Sequence, residues 1–318
     1  MSVTVVIVNW NSGRYLGECL RHLENQTCPP TQVFLVDNAS TDGSAKIAGE
    51  FPSVTLIPSP VNLGFAAGNN LALRCCDTEF VALLNPDAYP EPDWLERLVA
   101  AARARPDVAA FGSRQTSLNR PGPLDGIGDT YHITGRVWRE RYLAPETPAD
   151  LLPCEIFSPC AAAALYRRDA LMKCGLFDED YFCYVEDVDL GFRLRLAGHK
   201  SWYVPEAVVR HAGSVTTGGQ QGDFAVYHGH RNLVWAFVKN MPSLLLWPLL
   251  PAHLLLNAGT LLWFALKGRS RVIVRAKADA IRGLPSAWRK RRAIQARRVA
   301  TVAEIWRALD KRLIPRRR

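Results

Sequence analysis

Over residues 1–112, short apolar runs alternate with segments whose apolar positions recur at helical spacing. The runs 3–8, 32–37, 54–58, 80–84 and 108–112 have strand length, and 14–24, 43–50, 66–74 and 93–104 carry helical patterns. Alternation at this pitch predicts an α/β fold, with a mixed, mainly parallel sheet and helices on both faces. Three polar sites, Asn9, Asp37 and Asn85-Pro86-Asp87, fall at strand C-termini. Open α/β sheets bind their ligands at that edge.

The pattern loosens over residues 113–153, which are rich in Gly, Pro, Arg and Asp and read as an irregular excursion over the sheet. Order returns with the small-residue apolar stretch 154–166. A helix is predicted to start at Glu186-Asp187 and to end at Gly198, a residue suited to the position after a helix C-cap. Two short strands, 201–204 and 208–211, follow. Residues 240–266 contain no Asp, Glu, Lys or Arg, and at 27 residues this run exceeds the ~20 that span a bilayer as a helix. Pro248 and Pro251 are expected to kink it, and Trp247 and Trp263 to sit at headgroup level. Further on, Val299, Val302, Trp306, Leu309 and Leu313 fall at helical spacing among Arg and Lys, the pattern of a basic amphipathic helix. The expected division is a catalytic domain over 1–240 and a hydrophobic, basic helical region over 241–318.

Charge sharpens that division. The net charge of +9 hides a tail, 267–318, with 18 Lys/Arg against three acids, beside a body with 21 bases and 27 acids. The chain enters an apolar strand at once, without a basic leader, so no secretory signal is expected. Eight cysteines form no C-x-x-C pair, which favours reduced thiols over a zinc site. No nucleic-acid-binding module accompanies the basic tail, so nucleic acid is not expected as a partner and an anionic membrane surface is. With the body in the cytosol, as the family resemblance given below implies, a single complete span would carry the tail's bases across the membrane, against the positive-inside tendency. The expectation is therefore a re-entrant or interfacial segment on the cytoplasmic face of the inner membrane, with the basic helix on that leaflet. A buried helical hairpin is the alternative.

Candidate chemistry lies in four motifs. Asp37-Asn38-Ala39-Ser40-Thr41-Asp42-Gly43-Ser44 closes a strand and opens a helix, where a carboxylate can accept from a base or ribose and free N–H groups favour anions. The same residues also make an ordinary helix cap. In Asn62-Leu63-Gly64-Phe65-Ala66-Ala67-Gly68-Asn69-Asn70, two glycines allow close approach of a diphosphate, or simply tight helix–sheet packing. Asn85-Pro86-Asp87 can hold Mg²⁺ or Mn²⁺ against a diphosphate or form a turn. Glu186-Asp187-Val188-Asp189 is the densest acidic cluster, and a carboxylate there can deprotonate an acceptor hydroxyl. Acids are also favourable at any helix N-terminus. His211, taken alone, reads as structural.

In order and approximate spacing, these motifs resemble those of the family-two inverting glycosyltransferases with the GT-A fold. Val36 to Ser44, Asn62 to Asn70, Leu83 to Ala88 and Tyr184 to Leu190 are similar in particular to the rhamnosyltransferase-like branch, and the likeness covers about residues 3–240. The resemblance implies sugar transfer with inversion from a nucleotide diphosphate donor, best guess L-rhamnose, to a lipid-linked or polysaccharide acceptor in cell-envelope glycan synthesis. It implies Asp187 as catalytic base, with Glu186 orienting the acceptor or the base. It implies a divalent metal at Asp87 and His211. Donor contacts are expected from Asn9, Asp37, Asn38, Gly64, Asn69, Asn85 and Arg231. The chain departs from the family pattern at Asn85, where the first Asp of the D-x-D motif often stands, and at Cys160-Ala161-Ala162-Ala163, in place of a glycine-containing acceptor loop.

Two other functions compete. A nucleotidyltransferase shares the topology but usually carries a Gly-rich, Arg-containing loop after its first strand, where this chain has Asn9-Trp10-Asn11-Ser12-Gly13. A non-catalytic glycan-binding protein on the same scaffold has no need of Asp87, Asp187 and His211 together.

Overall fold

The computed structural model describes residues 2–120, 122–213 and 222–312. Its strands are β1 (Val3–Asn9), β2 (Gln32–Asn38), β3 (Val54–Ser59), β4 (Phe80–Leu84), β5 (Ala88–Pro90), β6 (Val108–Ser117), β7 (Leu124–Gly126), β8 (Asp129–Tyr131), β9 (Val137–Arg139), β10 (Cys154–Ile156), β11 (Ala163–Arg167) and β12 (Lys200–His211). The helices are α1 (Arg14–Glu24), α2 (Gly64–Leu73), α3 (Trp94–Ala104), α4 (Arg168–Lys173), α5 (Glu186–Leu196), α6 (Asp223–Asn240), α7 (Ser243–Leu266), α8 (Ser270–Arg282), α9 (Leu284–Ala296) and α10 (Val302–Ala308). One sheet runs β10-β12-β6-β11-β4-β1-β2-β3, with β5 added to β12 and β7 to β6. Strands β3, β2, β1 and β4 are mutually parallel, β11 is antiparallel to both β4 and β6, and β6 is parallel to β12. The sheet is therefore mixed and mainly parallel. Its central strands are apolar on both sides because helices cover both faces. One core cluster packs α1 and α3 on one face, and a second packs α2, α4 and α5 on the other.

Three elements differ from the sequence pattern. The segment expected as a helix over 43–50 is a 3₁₀ turn, Ser44–Glu50, entered by Gly43 at φ +79° and opened by the Lys46 N–H to Gly43 carbonyl bond of 3.1 Å. The two strands expected over 201–204 and 208–211 are one strand, β12. Its register against β6 jumps from Val204–Ser113 to Val208–Arg114, so the break in the apolar pattern marks a bulge. Pro205, which has no N–H to give the ladder, lies inside it.

The third difference is in the tail. The single basic amphipathic helix expected around 299–313 is only the seven-residue α10. Thr301 and Glu304 close a capping box that fixes its start. Beyond Ala308 the chain turns inward: Leu309 is buried, and Asp310 exchanges backbone bonds with Tyr131 and Ile133 at 2.9 Å each. Val299 is 74% exposed, off the apolar side of α10, and Leu313 lies outside the described residues. The bases sit mainly on α8 and α9, and two of them are buried. Lys277 donates to the His230 carbonyl at 2.9 Å, and Arg291 to Val238 at 2.8 Å, near the C-terminal end of α6. Burial lowers Lys277 to about 8. A third core cluster, with Tyr131, Phe192, Phe237 and Ile305 among its members, joins α5, α6, α7 and α10.

The charge-free run forms α7, a 24-residue helix through both prolines. Its most apolar window is only 6% buried, so the alternative of a buried hairpin does not hold. Length and composition would allow this helix to cross a membrane. All eight cysteines are free thiols.

Candidate active site

A cleft of about 1160 Å³ opens along the C-terminal ends of the parallel strands. Asp87, Asp187 and His211 all line it, although up to 124 residues separate them along the chain. Each arrives from a different element. Asp87 stands in the turn between β4 and β5, His211 ends β12, and Asp187 sits in the first turn of α5. β12 pairs with β5, His211 opposite Ala88, which brings the first two together.

His211 is buried and held from both sides. Its Nδ1 lies 2.7 Å from Asp125 Oδ2, and its Nε2 lies 3.2 Å from Asp87 Oδ1. The second approach is within ion-pair distance but off hydrogen-bond geometry, so Nε2 is a buried nitrogen with no hydrogen-bond partner. Burial works against charge on this ring, yet Asp87 and Asp125 outweigh it and raise His211 to about 9. A ring nitrogen facing a carboxylate, with the other nitrogen fixed by a second carboxylate, suits a divalent cation. Among the described residues, no three His, Cys, Asp or Glu side chains enclose a metal by themselves, so Asp87 and His211 make a partial ligand set.

Across the cleft, α5 presents Glu186 and Asp187. Asp187 accepts from the Val188 N–H at 2.8 Å and the Ala161 N–H at 3.2 Å. Burial raises its affinity for a proton, opposed by the Ala161 N–H and the nearby Arg139 charge. Glu186 is more deeply buried, and its Oε2 has no partner. Burial and then the Asp187 charge push it well above the usual carboxylate range. The two neighbours thus divide, Glu186 favouring the neutral acid and Asp187 retaining support for its anion.

The approach to α5 is strained. Phe182, Tyr184 and Val185 have φ of 63°, 67° and 71°, a left-handed region that is costly for aromatic and especially for β-branched residues. Buried Asn232 on α6 holds this turn, its amide donating to the carbonyls of Tyr181, Cys183 and Tyr184 at 2.8–3.0 Å. Arg231 adds bonds to the carbonyls of Asp180 and Tyr181 at 3.1 and 2.9 Å. On the far side, the Ala66 N–H donates to Phe182 O at 3.1 Å, and a Cβ on Gly64 would meet that oxygen at 2.5 Å. Gly64, at φ +78°, is therefore required twice over.

Residues 4–175, more than half of the chain, match glycosyl transferase family 2. The chain belongs to that family. It is 31% identical over 253 residues to the N-acetylglucosaminyl-diphospho-decaprenol L-rhamnosyltransferase of Mycobacterium tuberculosis, covering 70% of this chain and 80% of that one. It is 26% identical to the O-antigen chain rhamnosyltransferase WbaN of Salmonella anatum, over 68% and 67% of the two chains. Among solved structures, the mannosyltransferase PcManGT of Pyrobaculum calidifontis, in complex with GDP-Man and Mn²⁺, matches with a TM-score of 0.55 at 21% identity, covering 93% of this chain and 84% of that one. S. aureus TarS in complex with UDP matches at 0.58 and 18%, over 96% and 91%. The fold is GT-A, and the chain is a glycosyltransferase of the rhamnosyltransferase-like branch.

In this family-2 transferase the residues singled out in the sequence divide into lining and support. Asn38, Gly64, Asn85, Asp87, Glu186, Asp187 and His211 line the cleft. Asn9, Asp37, Asn69 and Arg231 do not. Asn9 is fully buried and donates to Asp37, Ser40 and Ser44 at 3.3, 3.1 and 2.9 Å, fastening β1 to the strand-end motif. Asn69 is also buried and returns its amide to the Phe65 carbonyl at 2.9 Å. Asn9, Asn69 and Arg231 thus make supporting bonds within the protein. The third acid of the cluster, Asp189, also points away from the cleft, into the core.

Three residues that build the site, two of them in the cleft lining, fall in the stretch read as an irregular excursion. Asp125 orients His211, while Asp129 and Arg139 line the cleft beside Asp187. Arg139 joins Asp125 at 2.6 Å and reaches Cys160 Sγ at 2.8 Å. The signal available was acids spaced by glycines, in Leu124-Asp125-Gly126-Ile127-Gly128-Asp129. Gly126 is needed there because a Cβ would meet Arg139 Cδ at 2.3 Å.

Proposed function

We propose that this glycosyltransferase moves L-rhamnose from a nucleoside diphosphate donor to a saccharide carried on a lipid diphosphate, in bacterial cell-envelope glycan assembly. The observation that carries the reading is the convergence of Asp87, His211 and Asp187 on one cleft. Likeness to transferases named for rhamnose and, in one case, for a diphospho-decaprenol acceptor supports the choice of substrates.

Asn38, Gly64 and Asn85 line the donor part of the cleft, and Asp37, at the end of β2 but outside that lining, would meet the base or ribose on donor binding. Asp87 and His211 would hold a Mg²⁺ or Mn²⁺ ion. Such an ion, when bound, neutralises charge on the diphosphate and takes its remaining ligands from phosphate and water. Asp187 accepts the proton of the acceptor hydroxyl as its oxygen bonds to the anomeric carbon. The bond from that carbon to the diphosphate breaks, its electron pair leaves with the nucleoside diphosphate, and the configuration inverts. Glu186, neutral beside it, orients the acceptor or the base by hydrogen bonding. Residues 1–240 form the catalytic domain in this reading, and 241–318 bring it to the cytoplasmic face of the inner membrane.

The test is acceptor-dependent release of nucleoside diphosphate across a panel of nucleotide sugars, with N-acetylglucosaminyl-diphospho-decaprenol in vesicles, with and without Mn²⁺. dTDP-rhamnose should be consumed, and Asp87→Ala should lose Mn²⁺-dependent donor binding by calorimetry. If no nucleotide sugar in the panel is consumed, the reading is wrong.

A further inference from the structure

Helix α7 ends inside the cleft. Trp263 and Phe264 in its last turn, and Lys267 and Arg269 just beyond, line the same cavity as Asp187. The end is pinned there. The Phe264 ring packs edge-on against His230 of α6 at 5.2 Å, and Arg269 Nε donates to Asp223, the first residue of α6, at 3.1 Å. Helix α6 itself gives Phe224, Gly229, His230 and Leu233 to the cleft wall.

Along α7 runs a stripe of exposed apolar side chains. Leu244, Trp247, Leu255, Leu262 and Leu266, spaced at helical intervals, are 74%, 59%, 74%, 62% and 77% exposed. A 24-residue helix is about 36 Å long. Leaving such a stripe in water is unfavourable at ~25 cal/mol per Å² of apolar surface, so a bilayer is the solvent it fits. The charge flanking it agrees, since residues 267–282 hold six Lys/Arg and one acid. Lys267 forms no ion pair among the described residues; its ammonium lies 5.0 Å from the Trp263 ring centroid. An unpaired cation and a second cation at the mouth of an acid-rich cleft, at the end of an exposed apolar helix, match one kind of molecule. That molecule has a lipid chain, a diphosphate and a sugar, in that order.

We propose that Lys267 and Arg269, with Trp263 and Phe264, form the subsite for the acceptor's diphosphate. The exposed face of α7 lies in the bilayer that holds the acceptor's isoprenoid chain. The cations grip the diphosphate at the cleft mouth, and the sugar reaches inward to Asp187. This assignment rests on the lipid-linked acceptor of the previous subsection.

The experiment uses the full chain saturated with dTDP and Mn²⁺, so that the donor diphosphate position is filled, and follows tryptophan fluorescence on titration with farnesyl diphosphate and, separately, farnesol. Charge-assisted contacts to phosphate are among the stronger hydrogen bonds. Lys267→Glu/Arg269→Glu should therefore weaken farnesyl diphosphate binding at least about tenfold, while dTDP affinity and farnesol binding stay at the wild-type level. Lys267→Ala, at an exposed side chain without an ion pair, should give a smaller loss of the same kind. Unchanged farnesyl diphosphate affinity in the double variant overturns the assignment. So does an equal loss of farnesol, or a loss confined to binding of phosphatidylglycerol vesicles, which would make the two cations a membrane anchor only. Failure of dTDP to bind either protein would instead count against the transferase reading, whichever way the prenyl diphosphate result falls.

Discussion

Within four residues, helix α5 carries acids of two kinds that differ mainly in their company. Asp189 is fully buried, but Lys239 Nζ at 2.7 Å, Arg193 Nε at 2.8 Å, the Asn240 amide at 2.7 Å and the Tyr181 hydroxyl at 3.0 Å surround it. Lys239 also pairs with Asp178, which Lys290 meets from α9. Burial opposes ionisation of Asp178 and Asp189, yet the cations win and hold both below the usual carboxylate range. Glu186 and Asp187, one turn earlier, have no cation within ion-pair distance among the described residues, and burial drives both upward. A buried carboxylate ringed by cations fastens three helices together. One without them is left with a proton to take or give.

Asp187→Asn should have the largest effect, lowering kcat by ~10²–10⁴-fold with an unchanged melting temperature, since general-base catalysis typically contributes that much. Wild-type turnover in that variant would remove Asp187 from the chemistry. Asp189→Asn should do the opposite. Removing one partner from a buried charge network typically costs ~3–5 kcal/mol, because Lys239 and Arg193 would keep their charge without it. Urea unfolding measures this, and an unmoved midpoint would erase the distinction between the two acids.

Asn232→Ala joins the two regions. Leaving buried carbonyls unpaired costs ~1–3 kcal/mol. The variant should also lower kcat while sparing nucleotide affinity, because the 182–185 turn that aims Asp187 loses its brace. Loss of stability with intact kcat would make the brace structural only. Acid should act on the paired set. A depressed carboxyl contributes stability that is complete above its unfolded value, about 3.9, and is lost as pH falls through the lower folded value. Thermal stability should therefore drop below about pH 4, less steeply in Asp189→Asn than in wild type. Glu186→Gln should have the smallest effect, under about tenfold in kcat or ~1.4 kcal/mol, because an amide resembles the neutral acid that burial favours.

How legible these features were in the sequence depended on the range of the interactions that set them. β1 to β4 were readable because each is a local apolar run bounded by turn chemistry. Asp87 and Asp187 were readable because acids at a strand end and at a helix start belong to local motifs. Asp125 and Arg139 were not, since their importance arises only when β7 and β9 fold over the sheet and bring them to His211 and Cys160. Arg231 lay within a recognised motif, but its bonds to the carbonyls of Asp180 and Tyr181 were not legible there. Its guanidinium serves a turn some 50 residues away, which no spacing rule anticipates. The tail misled for a related reason. Helical spacing of Val299 to Leu309 was present, but Asp310 found backbone partners at Tyr131 and Ile133 and ended the helix early.

The Ala66 N–H to Phe182 carbonyl bond crosses between two segments more than a hundred residues apart. It stitches the start of α2 to the 182–185 turn that leads into α5, and Gly64 leaves no slack between them. The two halves of the reaction centre are thus geared together, so that a shift of one displaces the other. An added methyl at Gly64 should displace the 182–185 turn and, in the proposed reaction, misalign Asp187.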